Sequence, residues 1–371
     1  MIKVCVRHTT GDYPVLIGNG VLERLERHLE RECIQGRTWV FYDAQVYALH
    51  GARIRKCLGR IRRRATEMVL PVGERYKSAA TLSKIYDFLL GQKVERSDFI
   101  LAVGGGVVSD LVGYAAATTL RGLRWGVVST TLLGMVDAAI GGKTGINHRS
   151  GKNLIGAFWQ PRFVFCDTYL LNTLSWRQFL SGMGEVVKYG GLIGGPLPER
   201  LESVYGVDAE VDESVLTQLI SSGVSYKADI VAKDEREQGP RMLLNLGHTF
   251  AHGIEAALGY GRLLHGEAVL LGLRCAVDLS CLVKPGACEG LRHYRDVVDE
   301  YIKRIPRRRI DVPNVLESMR VDKKRAGGRQ KYVLLERPGK PFIADNIRGR
   351  FVRRSLEGMC GQYNARDCSD A

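Results

Sequence analysis

The sequence predicts an α/β domain followed by an all-α domain, and three observations carry that prediction. A chain of 371 residues can form two units that each bury their own core. In the first half, short β-branched and aromatic runs alternate with helical patterns and glycine-rich turns, as a doubly wound sheet requires. After Thr173 the strand signal fades, and apolar residues recur at helical spacing instead. The boundary is placed there, which gives residues 1–173 and 174–371.

Composition narrows the class before any motif is read. With 45% apolar and 25% charged residues, the chain is an ordinary globular protein. The net charge of +14 raises the question of nucleic acid. However, the basic run from Arg53 to Arg64 places Ile54, Leu58 and Ile61 at helical spacing, which buries one stripe and leaves the arginines in solvent. No aromatic-basic motif accompanies it, so the solvated-face reading stands against nucleic acid, and a strongly anionic small substrate is another use for positive charge. Nine cysteines, an odd number without a Cys-x-x-Cys pair, exclude a disulfide framework and fit a reducing cytoplasm. The N-terminus reads as a strand, and the longest apolar tract, Phe99 to Leu120, is interrupted by Asp110 and glycines, so no membrane span is expected.

Along the first half, Thr38 to Asp43 reads as a buried strand ending in an acid. Doubly wound sheets place a ribose-binding carboxylate there, although a turn-initiating Asp would also fit. A polar turn at 73–78 precedes the helical pattern Leu82, Ile85, Tyr86, Leu89. The strand Phe99 to Val103, then Gly104-Gly105-Gly106, then a helical run from Leu111 form a phosphate cradle, because glycines let backbone amides at a helix N-terminus close on an anion. Ser109 stands where the dinucleotide fingerprint has its last glycine, so the motif taken alone reads as phosphate binding. Strand Arg124 to Ser129 leads to Thr130, Thr131 and Asp137. Two glycine-lined loops then carry Lys143, Lys152 and Asn153, a group suited to holding an anion and orienting hydroxyls. A Walker loop is excluded because Asp137 occupies the place of its first glycine. Strand Arg162 to Asp167 and the loop Leu170 to Thr173 close the domain.

The second half shows helical patterns at 179–189, 215–231, 243–258 and 265–283, with further segments to about 320. In Asn245-Leu-Gly-His248-Thr-Phe-Ala-His252 two imidazoles four residues apart share one helix face. His265 follows, and Glu185 and Lys188 lie one turn apart upstream. A catalytic zinc takes three N or O ligands and keeps an open position; two histidines and a glutamate make such a set, though spacing does not choose among the candidates. A zinc-peptidase helix is excluded because Thr249, not Glu, follows His248. The expected site is the cleft between the two domains. Beyond Arg350 the tail reads as polar and loosely ordered.

These segments together resemble the 3-dehydroquinate synthase family. Gly-Glu-Arg-Tyr-Lys-Ser from Gly73, Gly-Gly-Gly-Val-Val-Ser-Asp from Gly104, Arg121-Gly, Thr-Thr-Leu-Leu-Gly-Met-Val-Asp from Thr130, Gly-Gly-Lys-Thr from Gly141 and Gly-Lys-Asn-Leu-Ile-Gly-Ala-Phe from Gly151 stand in the family's order. So do Gly-Met-Gly-Glu-Val-Val-Lys from Gly182, Asp-Glu-Arg-Glu from Asp234, Leu-Asn-Leu-Gly-His-Thr-Phe-Ala-His from Leu244 and Leu-His-Gly-Glu-Ala from Leu264, and the match reaches to about Lys324.

The resemblance implies a Rossmann-like NAD-binding domain, a helical metal-binding domain, NAD, and one divalent metal, zinc or cobalt. It also implies a lyase that converts 3-deoxy-D-arabino-heptulosonate 7-phosphate to 3-dehydroquinate and phosphate in the shikimate route to aromatic amino acids. By the same resemblance Glu185, His248 and His265 bind the metal, and His252 relays a proton with Glu237, while Lys143 and Lys188 also serve the chemistry. NAD would be held by Asp43, Glu74, Lys77, Gly105, Gly106, Val107, Asp110, Thr130, Thr131, Lys152 and the loop Leu170, Leu171, Asn172, Thr173. Asp137, Lys143, Asn153, Lys188, Lys227, Arg241, Asn245 and Lys324 would bind substrate, with Arg121 reaching its phosphate from the partner of a homodimer. Three positions depart from the family pattern: Ser109 and Gly184, where Gly and Ala are common, and Ser129, where Pro is common before the threonines. The alternatives are another sugar-phosphate cyclase of the deoxy-inosose or epi-valiolone type, a metal-dependent polyol dehydrogenase and, from a different class, a basic RNA-binding protein.

Overall fold

The computed structural model describes the chain except residues 33–35, 206–210, 326–329 and 365–371. The side chains of 322–325 also lie outside the described residues, so the expectation for Lys324 falls there. In chain order the elements are β1 (Ile2–His8), β2 (Gly11–Gly18), α1 (Leu25–Glu32), β3 (Thr38–Asp43), α2 (Ala44–Cys57), β4 (Ala65–Leu70), α3 (Ala79–Gly91), β5 (Phe99–Gly104), α4 (Gly106–Thr118), β6 (Arg124–Ser129), β7 (Lys143–His148), β8 (Gly151–Phe158) and β9 (Val164–Asp167). There follow α5 (Trp176–Ile193), α6 (Leu197–Glu202), α7 (Glu213–Lys233), α8 (His248–Leu258), α9 (His265–Val283), α10 (Cys288–Ile302), α11 (Val312–Arg325), β10 (Tyr332–Leu335), β11 (Pro341–Ala344) and α12 (Gly349–Asn364). Among the described residues no helix is long and apolar enough to cross a membrane.

The first compact unit comprises Met1–Ser175 and Leu216–Arg236. Its seven-stranded sheet runs β1-β2-β9-β6-β5-β3-β4, with β1 antiparallel to β2 and the other neighbours parallel. Every residue of β5 and β9 is buried, as strands covered on both faces must be. From β3 the chain crosses to β4 on one side, and then returns through α3 to β5 on the other. The order therefore reverses between β3 and β5, and the C-terminal edge of such a switch point is where open α/β sheets bind ligands. Asp43 ends one of those strands and Gly104 the other.

Several expectations are refined here. Ile54, Leu58 and Ile61 are buried while Arg60, Arg62 and Arg63 are exposed, as the helical spacing of the basic run required. The helix after the glycines begins at Gly106, earlier than the run from Leu111, because Gly105 caps it and the last of the three glycines is already its first residue. The two lysine-bearing loops are not loops: they are the antiparallel strands β7 and β8, whose glycines lie where the two backbones press together, with a Cβ on Gly156 meeting the Thr144 carbonyl oxygen at 2.1 Å. Helix α7, downstream of residue 174, packs with the first unit, where Lys227 donates to the backbone and carboxylate oxygens of Asp137, each at 2.7 Å.

The second unit comprises Trp176–Val215 and Glu237–Ala371. Its centre is α9, which packs against α5, α8, α10 and α12. The helical pattern at 243–258 is interrupted: a 3-10 turn covers Pro240–Asn245, Gly247 turns the chain with φ 79°, and α8 starts at His248. A hairpin, β10 with β11, joins the helices without having been anticipated. The tail is not loosely ordered through residue 364: it forms α12 and buries Val352, Leu356, Met359, Cys360 and Tyr363, a helical stripe hidden among charged residues.

Candidate metal centre and nucleotide cradle

Three helices of the second unit each deliver one side chain to a common point. Glu185 comes from α5, His248 from the first turn of α8 and His265 from the first turn of α9. Both imidazole Nε2 atoms lie 3.3 Å from Glu185 Oε1. The ligand atoms of the three lie within 4.8 Å of one another.

Glycine sets this spacing. A Cβ on Gly184 would sit 2.3 Å from the Gly266 carbonyl oxygen, so α5 and α9 touch backbone to backbone beside Glu185 and His265. An alanine at this position would not fit without separating the helices. The start of α9 is anchored as well. Glu267 accepts from the Leu264 amide at 2.7 Å and forms a fork with Arg177, at 2.6 Å to Nε and 2.9 Å to Nη2. Ser181 Oγ accepts from the Gly266 amide at 3.1 Å.

The electrostatics fit a cation. Glu185 is fully buried, and neither oxygen accepts an aligned hydrogen bond, although the Lys188 ammonium makes ion-pair contact with Oε2. Burial disfavours its charge, but Lys188, His248 and His265 outweigh that and hold it well below the usual carboxylate range. Burial likewise opposes a proton on His265, yet the Glu185 and Glu255 carboxylates push its pKa up to about 10. A buried carboxylate facing two imidazole nitrogens is the donor set that a divalent ion of borderline softness completes.

Of the other residues expected nearby, His252 is exposed, with its ring centroid 5.7 Å from that of His248 and 6.2 Å from that of His265. Glu237 has a left-handed backbone, φ 58°, and accepts from Asn245 Nδ2 at 2.9 Å. Non-glycine residues are held so at a cost of about 1–3 kcal/mol, and such positions cluster at functional sites. Arg241 is buried in the turn before α8.

In the first unit, Gly105 caps α4 at the switch point. Its φ of −84° suits any residue; what requires glycine is Thr131, whose Cγ2 would lie 2.8 Å from an added Cβ. Thr130 Oγ1 is buried without a hydrogen-bond partner beside this cradle, a hydroxyl that a ligand oxygen could satisfy. Lys77, buried on the next loop, contacts Asp110 and Asn153 with its ammonium, and burial pushes the Asp110 carboxyl up despite that cation. Glu74 joins through Asn147, whose Nδ2 donates to it at 2.7 Å while Asn147 Oδ1 accepts from the Asn153 amide at 2.9 Å. Asp43 spends Oδ1 capping α2, accepting from Gln45 at 2.9 Å and Val46 at 3.3 Å. Leu170 and Leu171 are buried, so any ligand contact of theirs is through the main chain; Asn172 and Thr173 are exposed. Val107 and Lys152 are half-buried, and Lys143 and Arg121 exposed. Ser109 does not crowd the cradle, because its hydroxyl turns back to the Gly106 carbonyl at 3.0 Å. Ser129 leaves its hydroxyl buried without a partner, and nothing in the structure explains it.

Sequence reasoning missed Asn147, Arg177, Ser181, Glu255 and Glu267. Two had a signal: Glu267 stands at the third helical position after Leu264, and Glu255 follows His248 by seven residues on one helix face.

The known proteins agree with this architecture. The family model described as 3-dehydroquinate synthase N-terminal matches residues 67–181, and that described as 3-dehydroquinate synthase C-terminal matches 182–325. A 3-dehydroquinate synthase of Rippkaea orientalis is 37% identical over 357 residues, 95% of this chain and 97% of its own. Among solved structures, 2-deoxy-scyllo-inosose synthase complexed with carbaglucose-6-phosphate, NAD+ and Co2+ superposes with a TM-score of 0.85 at 24% identity, covering 96% of this chain and 99% of that one. The 2-epi-5-epi-valiolone synthase of Streptomyces hygroscopicus with NAD+ and Zn2+ bound gives 0.82 at 24% identity, covering 99% and 100%. These two share the fold; the family models and the full-length relative go further, and by them the chain belongs to the 3-dehydroquinate synthase family.

Proposed function

We propose that the chain converts 3-deoxy-D-arabino-heptulosonate 7-phosphate to 3-dehydroquinate and inorganic phosphate, a carbon-oxygen lyase reaction of aromatic amino acid biosynthesis. The observation that supports it most directly is the convergence of Glu185, His248 and His265, with two Nε2 atoms 3.3 Å from one carboxylate oxygen. These three would hold a zinc or cobalt ion, and the glycine cradle of α4 would hold the pyrophosphate of NAD. When bound, NAD supplies the hydride acceptor and donor, and the metal a Lewis acid at the hydroxyl to be oxidised.

The chain's own residues do the remaining work. Lys143, Asn153, Lys188, Lys227, Arg241, Asn245 and Lys324 would bind the phosphate, carboxylate and hydroxyls, because a doubly anionic sugar phosphate loses its hydration only against several fixed cations. Glu237, steadied by Asn245, would exchange a proton with His252. Phosphate would leave once the carbon next to the transient carbonyl has lost its proton; that carbonyl would then be reduced again by the returned hydride, and the sugar ring would open and reclose by an aldol step, so that the cofactor ends unchanged.

In this reading the enzyme is cytoplasmic, binds neither nucleic acid nor membrane, and works as a homodimer in which Arg121 of one subunit reaches the phosphate in the other. Arg121 is exposed, and it and the half-buried Leu120 have left-handed backbones, φ 66° and 50°, a conformation that clusters at functional sites.

The test mixes protein, substrate, Zn2+ or Co2+ and a trace of NAD. Many phosphates released per NAD support the reading, whereas stoichiometric NADH would identify a dehydrogenase. Turnover of another sugar phosphate in preference to the heptulosonate would identify another cyclase.

A further inference from the structure

We propose that Glu255 positions the metal centre: its buried carboxylate accepts a hydrogen bond from the Nδ1–H of His265 and so aims that ring's Nε2 at Glu185. The inference rests on reading Glu185, His248 and His265 as the metal ligands.

The two nitrogens of His265 face two different carboxylates. Nε2 lies 3.3 Å from Glu185 Oε1, and Nδ1 lies 3.5 Å from Glu255 Oε2. His248 is arranged alike, with Nε2 3.3 Å from Glu185 and Nδ1 3.2 Å from the Leu246 carbonyl. Each ring thus turns the same nitrogen toward Glu185 and offers the other to an acceptor, the arrangement that fixes tautomer and direction in metal-binding histidines. The acceptors differ, and so does the need for them. His248 has a side chain 11% exposed and an acceptor in the rigid turn at Gly247, whereas the His265 side chain is 31% exposed and less confined by packing. A buried side-chain acceptor therefore contributes more at His265.

Helix geometry supplies that acceptor. His248 and Glu255 lie two turns apart on α8, so one helix gives a ligand at its first turn and steadies, further along, the ligand carried by α9. Glu255 is only 3% exposed, and a carboxylate so placed is retained only where it is partnered. One competing arrangement exists, since His252, Glu255 and His265 also offer ligand atoms within 4.8 Å of one another. That set would make Glu255 a ligand itself, and its negative charge would then be required. A positioning acceptor needs only a lone pair.

The experiment exploits that difference. Metal-free full-length protein is titrated with Co2+ against a chromophoric chelator, the visible Co2+ spectrum is recorded, and Glu255→Ala and Glu255→Gln are compared with the wild type. Loss of the acceptor in Glu255→Ala should weaken Co2+ binding about 10–100-fold and broaden its spectrum, the usual cost of removing an outer-shell partner. Glu255→Gln, whose amide oxygen still accepts from Nδ1–H, should retain the wild-type spectrum and most of the affinity. Should Glu255→Ala fail to fold, Glu255→Asp replaces it, keeping the charge but withdrawing the acceptor, and is expected to bind more weakly than Glu255→Gln. Wild-type affinity in every variant overturns the proposal, and so does Glu255→Gln binding as weakly as Glu255→Ala. Failure of the wild type to bind one equivalent of Co2+ would instead overturn the metal reading on which it stands.

Discussion

The candidate nucleotide cradle and the candidate metal centre are built in opposite ways. The cradle is one continuous stretch from β5 into α4, and it works through backbone: amides at a helix start, with glycine where Thr131 would otherwise collide. The candidate metal centre works through side chains, one from each of three helices, of which α5 is remote in the chain from α8 and α9 and meets α9 in the close crossing at Gly184 and Gly266. A backbone site tolerates many sequences as long as its small residues stay small, whereas a side-chain site depends on each ligand and on the helices that carry them.

The largest expected effect separates the two sites. His248→Ala or Glu185→Gln should abolish stoichiometric Zn2+ binding and lower kcat/KM by about 10³-fold or more, several kcal/mol of transition-state stabilisation. NAD affinity measured by fluorescence titration should stay as in the wild type, and a parallel loss of NAD binding would show that the sites are not independent. The converse change is Gly105→Ala, whose Cβ would meet Thr131 Cγ2 at 2.8 Å. NAD binding should weaken about tenfold or more, the roughly 1–3 kcal/mol of an overpacked contact, while metal stoichiometry is unchanged.

Gly184→Ala sharpens the contrast in stability terms. The added Cβ lies 2.3 Å from the Gly266 carbonyl oxygen, so calorimetry should show the metal-free protein melting several degrees lower, about 2–4 °C for each kcal/mol. An unchanged melting temperature would mean that the helices part without cost.

The smallest effect is a proton. His265 has its pKa raised from 6.5 to about 10 in the metal-free chain, so its contribution to stability is complete below pH 6.5 and is lost as pH rises through 10. At pH 8 a metal must displace that proton, and calorimetry in buffers of different ionisation enthalpy should detect about one proton released per ion bound. No release would place the metal away from His265.

The same contrast explains what could be read from the sequence. The strand-turn-helix of β5 and α4 was legible because its signal is local: an apolar strand, three glycines and a helix in succession. Glu185, His248 and His265 were legible only as candidates, since spacing on a helix could pair His248 with His252 but said nothing of α5 or α9, and family resemblance made the choice. Lys77, Asp110 and Asn153 were likewise named singly, while their shared contact depends on the folded hairpin of β7 and β8. The supporting groups stayed hidden because their roles exist only across helices: Arg177 acts on Glu267, and Ser181 on the amide of Gly266. In α12 the reverse happened, and a regular apolar stripe was overlooked among charged neighbours.

The return of Leu216–Arg236 to the first unit bears on how the protein is made. A nascent chain that has emerged only as far as Ser175 lacks the helix whose Lys227 engages Asp137, so the N-terminal unit cannot finish folding when its sheet is complete. Although domains usually fold in the order of their synthesis, here the first must wait while the opening helices of the second are translated.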